Sequence, residues 1–111
     1  RILHHAGATL VALSMGAQGM VLAYPGDRSY HVLHIIPPQV QIRQPTGAGD
    51  ALLAGILFAL YHEMPIPVAA RWGVASGTAA AMQSGVGTGT YSEIQMLAEQ
   101  CSVAAEWSFD E

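Results

Sequence analysis

The sequence predicts an α/β fold with a mainly parallel sheet. Short apolar runs typical of strands occupy the first third of the chain, and longer apolar segments rich in helix formers follow them. Strands and helices that share one apolar core are typical of this class. At 111 residues the chain is long enough for one compact domain and too short for two.

The strand signals lie between residues 9 and 36. Residues 9–14 form a nearly continuous apolar run that ends in glycine-rich residues 15–19, which is typical of a buried parallel strand and a turn. Residues 20–24 and 29–36 flank Pro25 and Gly26, a strong turn signal. We therefore expect a hairpin near a sheet edge, which Pro37 and Pro38 end.

Two helices are predicted next. Residues 51–60 are apolar on every side, so this helix should be buried. Residues 64–67 break it, and a second helix should run over residues 68–83 with Pro67 suited to its first turn. Small residues recur every four positions in that helix, and they form a smooth face that could receive another helix or a flat ligand: Ala69, Gly73, Gly77 and Ala81.

The end of the chain carries weaker signals. Residues 84–90 form a glycine-rich loop. Ser92 and Glu93 should begin a final short helix that ends near Gln100. The last six residues are acidic, and we expect them to be poorly ordered.

Composition excludes several partners. A net charge of −4 with four Lys and Arg residues argues against nucleic acid and against an acidic membrane surface. The most apolar window, residues 51–61, is too short to cross a bilayer. Cys101 has no internal partner and should be a small buried hydrophobe in a reducing, cytoplasmic protein. The sequence starts without Met or a secretory signal, so we expect a cut inside a longer protein.

The five histidines show no spacing typical of a metal site, so we expect no metal ligands among them. They are His4, His5, His31, His34 and His62.

The most informative segment is Gly47, Ala48, Gly49 and Asp50, at the predicted start of the first helix. Small residues let a ligand approach the backbone, and the amides at a helix start attract an anion. A carboxylate beside such an anion hole is suited to taking a proton from an attacking hydroxyl. The alternative is structural, because Asp50 could simply stabilise the first turn and the glycines a tight turn.

This segment resembles the second signature of the PfkB carbohydrate kinases, whose fold is the ribokinase-like three-layer α/β/α sandwich. The likeness continues past Asp50 into residues 54–57. The resemblance implies that Asp50 is the catalytic base and that Gly47, Ala48 and Gly49 form the anion hole for the γ-phosphoryl group. Gly49 would also contact the nucleotide.

Two further segments are similar to the same family. Residues 14–19 resemble the turn that approaches the ATP phosphates, which implies nucleotide binding by Ser14, Gly16, Ala17 and Gly19. Residues 71–82 resemble the small-residue helix beside the adenine, which implies Val74 and Gly77 as part of that wall. The wording is most similar to the branch of the phosphofructokinases and tagatose-6-phosphate kinases.

The chain departs from the family pattern at two places. Gln44 stands where Asp or Asn is usual, so activation by a monovalent cation through that side chain is not implied. Residues 83–87 lack the proline that often precedes the later glycine, which leaves the shape of that loop open.

The resemblance implies that residues 1–111 are a single partial domain, the C-terminal nucleotide-binding portion of a kinase. The expected ligands are ATP with Mg²⁺ and a sugar or sugar phosphate, and the full-length protein could be a homodimer. The 111-residue chain alone should have little or no catalytic turnover. Three alternatives stay open at this point, namely a nucleoside or vitamin kinase of the same fold, a non-catalytic nucleotide-binding module, and an α/β domain without a ligand.

Overall fold

The computed structural model describes residues 10–26, 29–40, 42–43, 47–82 and 90–110. Four strands form one sheet in the order β1-β2-β3-β4. Their bounds are β1 Val11–Ser14, β2 Met20–Pro25, β3 Ser29–Ile36 and β4 Ser102–Asp110. Three helices complete the described chain: α1 Ala48–Tyr61, α2 Ile66–Met82 and α3 Tyr91–Gln100.

The predicted hairpin is confirmed, because β2 and β3 pair antiparallel from Met20 opposite Ile35 to Pro25 opposite Tyr30. It lies in the middle of the described sheet rather than at its edge. The prediction of a mainly parallel sheet is wrong for the described strands, all of which pair antiparallel. Only five residues join β1 to β2, whereas a parallel crossover needs a dozen or more. β1 is also largely exposed, not buried.

The core lies between one face of the sheet and α2. Met20, Leu22, Leu33 and Ile35 are buried on that face, in two directly opposed pairs. Nearly every residue of α2 from Ala69 to Ala81 is buried, because α1, α3 and the sheet all pack around it. Prolines close to its start agree with the predicted first turn.

Helices α1 and α2 approach each other closely at glycines. A Cβ on Gly55 would meet the Ser76 side chain and lie 2.8 Å from the Trp72 carbonyl oxygen. The outer side of α1 carries exposed large apolar side chains, among them Leu53 and Leu57, so the prediction of a wholly buried helix is wrong. Because α1 is apolar on every side, its sequence does not indicate which face is covered and which is exposed.

The end of the chain differs from the sequence prediction. α3 begins with Thr90 as its N-cap rather than at Ser92, and Thr90 and Glu93 form a reciprocal capping box. The acidic tail is not a disordered end, because β4 pairs along the whole of β3. Cys101, between α3 and β4, is buried as predicted.

Candidate functional site

A cavity of about 660 Å³ opens between the β1–β2 turn, the segment after β3, the start of α1 and one side of α2. Its size lies within the range of small-molecule sites, about 300–1,000 Å³. The residues that line it are Ser14, Gly16, Ala17, Gly19, Ile36, Pro37, Pro38, Gln39, Val40, Ile42, Ala48, Gly49, Leu52, Val74, Gly77, Thr78 and Ala81. Most of the cavity wall consists of apolar side chains, and the remainder is the backbone of small residues.

The first wall is the turn between β1 and β2, which contains one turn of 3₁₀ helix at Gly16–Gln18. Gly16 and Gly19 have φ of 59° and 90°, in the region that favours glycine. Gly19 is also pressed against β3, since a Cβ there would overlap the carbonyl of Ile35. The amide of Met15 donates to the Gly19 carbonyl at 2.7 Å and closes the turn.

The second wall is the start of α1. Gly47 is the N-cap residue with φ of 88°, and its carbonyl accepts from the Ala51 amide at 3.0 Å. Added Cβ atoms on Gly47 or Gly49 would meet no described atom within 4 Å, so the backbone here faces open space. The first amides of a helix have no partner within the helix, and they carry its positive end. This wall can therefore receive an anion.

Asp50 lies in the first turn of α1, and its side chain is exposed. It is not turned into the core, and among the described residues no atom lies within 4 Å of a Cβ added at Gly47 or Gly49. A buried carboxylate, or described side chains packed against those glycines, would have argued against a phosphate site with a neighbouring base.

The third wall is α2, from which Val74, Gly77, Thr78 and Ala81 border the cavity. The Thr78 hydroxyl donates to the Val74 carbonyl at 2.8 Å. A Cβ on Gly77 would lie 3.0 Å from the Ala48 carbonyl oxygen, so the glycine lets the start of α1 lie directly against α2. The small-residue face of α2 is thus used for helix packing and for the cavity wall.

The structure brings most of the predicted site residues together. Eight of them line the cavity: Ser14, Gly16, Ala17, Gly19, Ala48, Gly49, Val74 and Gly77. Gly47 and Asp50 adjoin it in sequence at the start of α1 without lining it. Gln44 and residues 83–87, the two departures from the family pattern, lie outside the described residues.

Sequence reasoning missed the wall formed by the segment after β3, in which Pro37 to Val40 and Ile42 line the cavity. The Arg43 amide donates to the carbonyl of Ala81 at 2.8 Å and fastens this segment to the end of α2. The signal in the sequence was the Pro37–Pro38 pair, which was interpreted only as the end of a strand. Two prolines favour an extended wall that leaves the sheet.

Other polar groups of the described chain do not form a metal centre, since no three of its His, Cys, Asp or Glu side chains are grouped to hold an ion. His31 bonds to the hydroxyls of Ser29 and Ser108, at 3.2 and 3.0 Å. His4 and His5 lie outside the described residues.

Burial raises the pKa of the Cys101 thiol to about 11, and the Arg71 charge opposes this only in part. None of the helices in the described ranges could span a membrane.

Several known proteins are similar to this chain in sequence. The 1-phosphofructokinase of Vibrio cholerae serotype O1 is 32% identical over 95 residues, which cover 86% of this chain and 29% of that protein. The cytidine kinase of Thermococcus kodakarensis is 39% identical over 75 residues, 67% of this chain and 26% of that protein.

A crystal structure of the phosphofructokinase-2 from Escherichia coli in complex with potassium has a TM-score of 0.78 at 24% identity, over 89% of this chain and 31% of that one. The likeness confirms the ribokinase-like α/β fold. The chain spans less than a third of the length of each of these relatives. The profile of the pfkB family carbohydrate kinases matches residues 1–93, and the chain belongs to that family.

Proposed function

We propose that this chain is the nucleotide-binding part, one partial domain, of an ATP-dependent kinase that phosphorylates a hydroxyl of a sugar or sugar phosphate. One observation carries the proposal. The glycine turn after β1 and the glycine-rich start of α1 border the same cavity, which residues of α2 also line. Two stretches of accessible backbone suit a polyphosphate, and the mainly apolar walls suit a base.

In this proposal each group acts on a different part of the reaction. The backbone amides at Gly47, Ala48 and Gly49 stabilise negative charge on the transferring phosphoryl group. The exposed Asp50 carboxylate takes the proton of the acceptor hydroxyl as the hydroxyl oxygen attacks the γ-phosphorus, while the bond from that phosphorus to the bridging oxygen of ATP breaks and ADP leaves. Gly16 and Ala17 border the phosphates of the nucleotide, and Val74 contacts its base.

The cavity fits ATP by size and by its open glycine backbone, but the described residues offer no set of carboxylates for a resident metal. Mg²⁺ is usually held by substrate phosphates, water and one or two carboxylates. We therefore expect Mg²⁺ to enter on the phosphates of ATP, where it neutralises their charge. The residues of this chain then bind and orient the complex.

The relatives favour two classes of acceptor. The name of the Vibrio protein favours a sugar phosphate, in agreement with the wording of the motifs, whereas the name of the Thermococcus protein favours a nucleoside. A screen of the full-length protein with fructose phosphates, free sugars, nucleosides and vitamin alcohols separates them. Dimerisation of that longer protein remains a prediction, which its sedimentation would test.

The first experiment concerns Asp50. We expect Asp50→Asn in the full-length enzyme to lower kcat by at least about 10²-fold, because the acceptor loses its base, while the Kd for ATP changes little. Glu99→Gln, at an exposed carboxylate on α3, is the matched control and should keep full activity. Unchanged kcat in the Asn variant would remove Asp50 from the mechanism.

The second experiment uses the 111-residue chain alone. Calorimetric titration with ATP, with and without Mg²⁺, should detect binding with little or no turnover. A chain that binds no nucleotide, and whose thermal unfolding does not respond to it, would instead be an α/β domain without this ligand. Binding by the chain, with no kinase activity in the full-length protein, would identify a non-catalytic nucleotide-binding module.

A further inference from the structure

We propose that His34 is a positioning residue that holds the β1–β2 turn in the shape that receives the nucleotide phosphates. The inference rests on the proposed function, because it assumes that phosphates lie along this turn. His34 is in β3, outside the cavity lining, so it would act through the turn and not on the ligand.

The contact that carries the inference joins a side chain to the backbone of the turn. The Nε2 atom of His34 lies 2.8 Å from the carbonyl oxygen of Gln18. A carbonyl oxygen only accepts hydrogen bonds, so Nε2 must carry a proton and donate it. The bond joins positions 16 residues apart, and it fastens the turn to the neighbouring part of the sheet.

This bond completes the fixing of one peptide unit. The Gln18 carbonyl and the Gly19 amide belong to the same planar peptide. The Gly19 amide donates to the Gly16 carbonyl at 3.0 Å, while the Gln18 carbonyl accepts from His34. With both polar ends bonded, the peptide cannot rotate without breaking a hydrogen bond. Gly16 and Ala17, which line the cavity, are held in place by that peptide.

The same turn is tied to β3 in a second way. Gly19 approaches β3 so closely that an added Cβ would overlap the carbonyl of Ile35, the residue after His34. Contact at Gly19 fixes the base of the turn, and the His34 bond fixes the orientation of the peptide before it.

A purely structural role for His34 accounts less well for its position. Its neighbours Leu33 and Ile35 point into the core, so the alternation of a strand puts His34 on the other face of the sheet. The side chain is half-buried and does not belong to the core cluster. Loss of its ring should therefore change the turn more than the stability of the fold.

The test compares three variants of the full-length protein, which contains this chain, by calorimetric titration with ATP and Mg²⁺. His34→Phe keeps a ring of similar size without the donor, and it should weaken binding by about 3- to 10-fold, the usual range for one lost hydrogen bond. His34→Gln places an amide N–H near the position of Nε2, and it should restore most of the affinity. His31→Phe, in the same strand and away from the cavity, should bind as the unsubstituted protein does.

A second readout needs no nucleotide. In hydrogen exchange followed by NMR, the Gly19 amide should exchange faster in His34→Phe than in the unsubstituted protein, and His34→Gln should slow it again. Equal ATP affinity in the Phe variant and the unsubstituted protein, or unchanged Gly19 exchange, would overturn the positioning role. If the unsubstituted protein binds no ATP while Gly19 exchange still responds to the Phe variant, the proposed function is what fails, and the nucleotide role of His34 fails with it.

Discussion

Alanine at Gly19 should destabilise the chain far more than alanine at Gly16, although both glycines lie in one turn and both have positive φ. At Gly16 an added Cβ meets no described atom within 4 Å, so only the left-handed backbone is strained. That strain amounts to about 1–2 kcal/mol. Gly16→Ala therefore measures the conformational cost alone.

Gly19→Ala adds a steric cost to the strain. Its φ of 90° and ψ of −137° lie where side chains are rarely tolerated, which costs about 1–3 kcal/mol. The Cβ also overlaps the Ile35 carbonyl, and backbone in the middle of a sheet cannot rotate away. Overpacking of this kind adds about 1–3 kcal/mol. We expect a total loss of about 2–6 kcal/mol, a large part of the roughly 5–15 kcal/mol that stabilises a domain.

The assay is equilibrium unfolding in urea, followed by circular dichroism and by the fluorescence of Trp72 and Trp107. Both variants should keep the slope of the unfolding free energy against urea, since the surface exposed on unfolding is unchanged. If Gly19→Ala loses no more stability than Gly16→Ala, the turn is not pressed against β3. The account of how this wall of the cavity is held would then be wrong.

Two further predictions concern α3 and the residue after it. Thr90→Ala should lower the unfolding free energy by about 1 kcal/mol because its hydroxyl accepts from the Glu93 amide at 3.2 Å, whereas Ser92→Ala should be nearly neutral. If urea titration shows a larger loss of unfolding free energy in Ser92→Ala than in Thr90→Ala, Thr90 is not the N-cap of α3. The Cys101 pKa rises from 9.0 to about 11 on folding, so the stability that its thiol contributes is complete below about pH 9 and is lost as the pH rises towards 11. Thermal unfolding from pH 8 to 11 should show a smaller decline in Cys101→Ala, and identical declines in the two proteins would contradict the shift.

Much of the site could be predicted from the sequence because its signals are local. A glycine-rich turn specifies backbone geometry over a few residues, whichever way the rest of the chain packs. Gly16, Gly19 and Gly47 all have the positive φ that such turns need. The hairpin of residues 20–36 was equally accessible, since Pro25 and Gly26 separate two apolar runs.

Several failures involve contacts between distant segments. β4 contains Ala104, Ala105 and Glu106, which do not favour a strand, and it forms because the edge of β3 offers a partner for its backbone. The open side of α1 could not be recognised, because Leu53 and Leu57 are as apolar as the buried Ile56. The cavity wall after β3 has no regular structure, so no periodic pattern marks it.

The small-residue face of α2 had two interpretations, a surface for another helix or a surface for a flat ligand, and the geometry joins them. Gly73 lies against the Ile56 side chain and serves packing, whereas Gly77 touches the backbone of Ala48 and also lines the cavity. Close packing at Gly77 is what brings the first turn of α1 to the wall that holds Val74. A bulkier residue there would push away the very amides proposed to receive the phosphoryl group. Helix packing at Gly77 therefore sets the distance between Val74, proposed to contact the nucleotide base, and the proposed anion hole at the start of α1. A substitution of Gly77 would change helix packing and the shape of the site together.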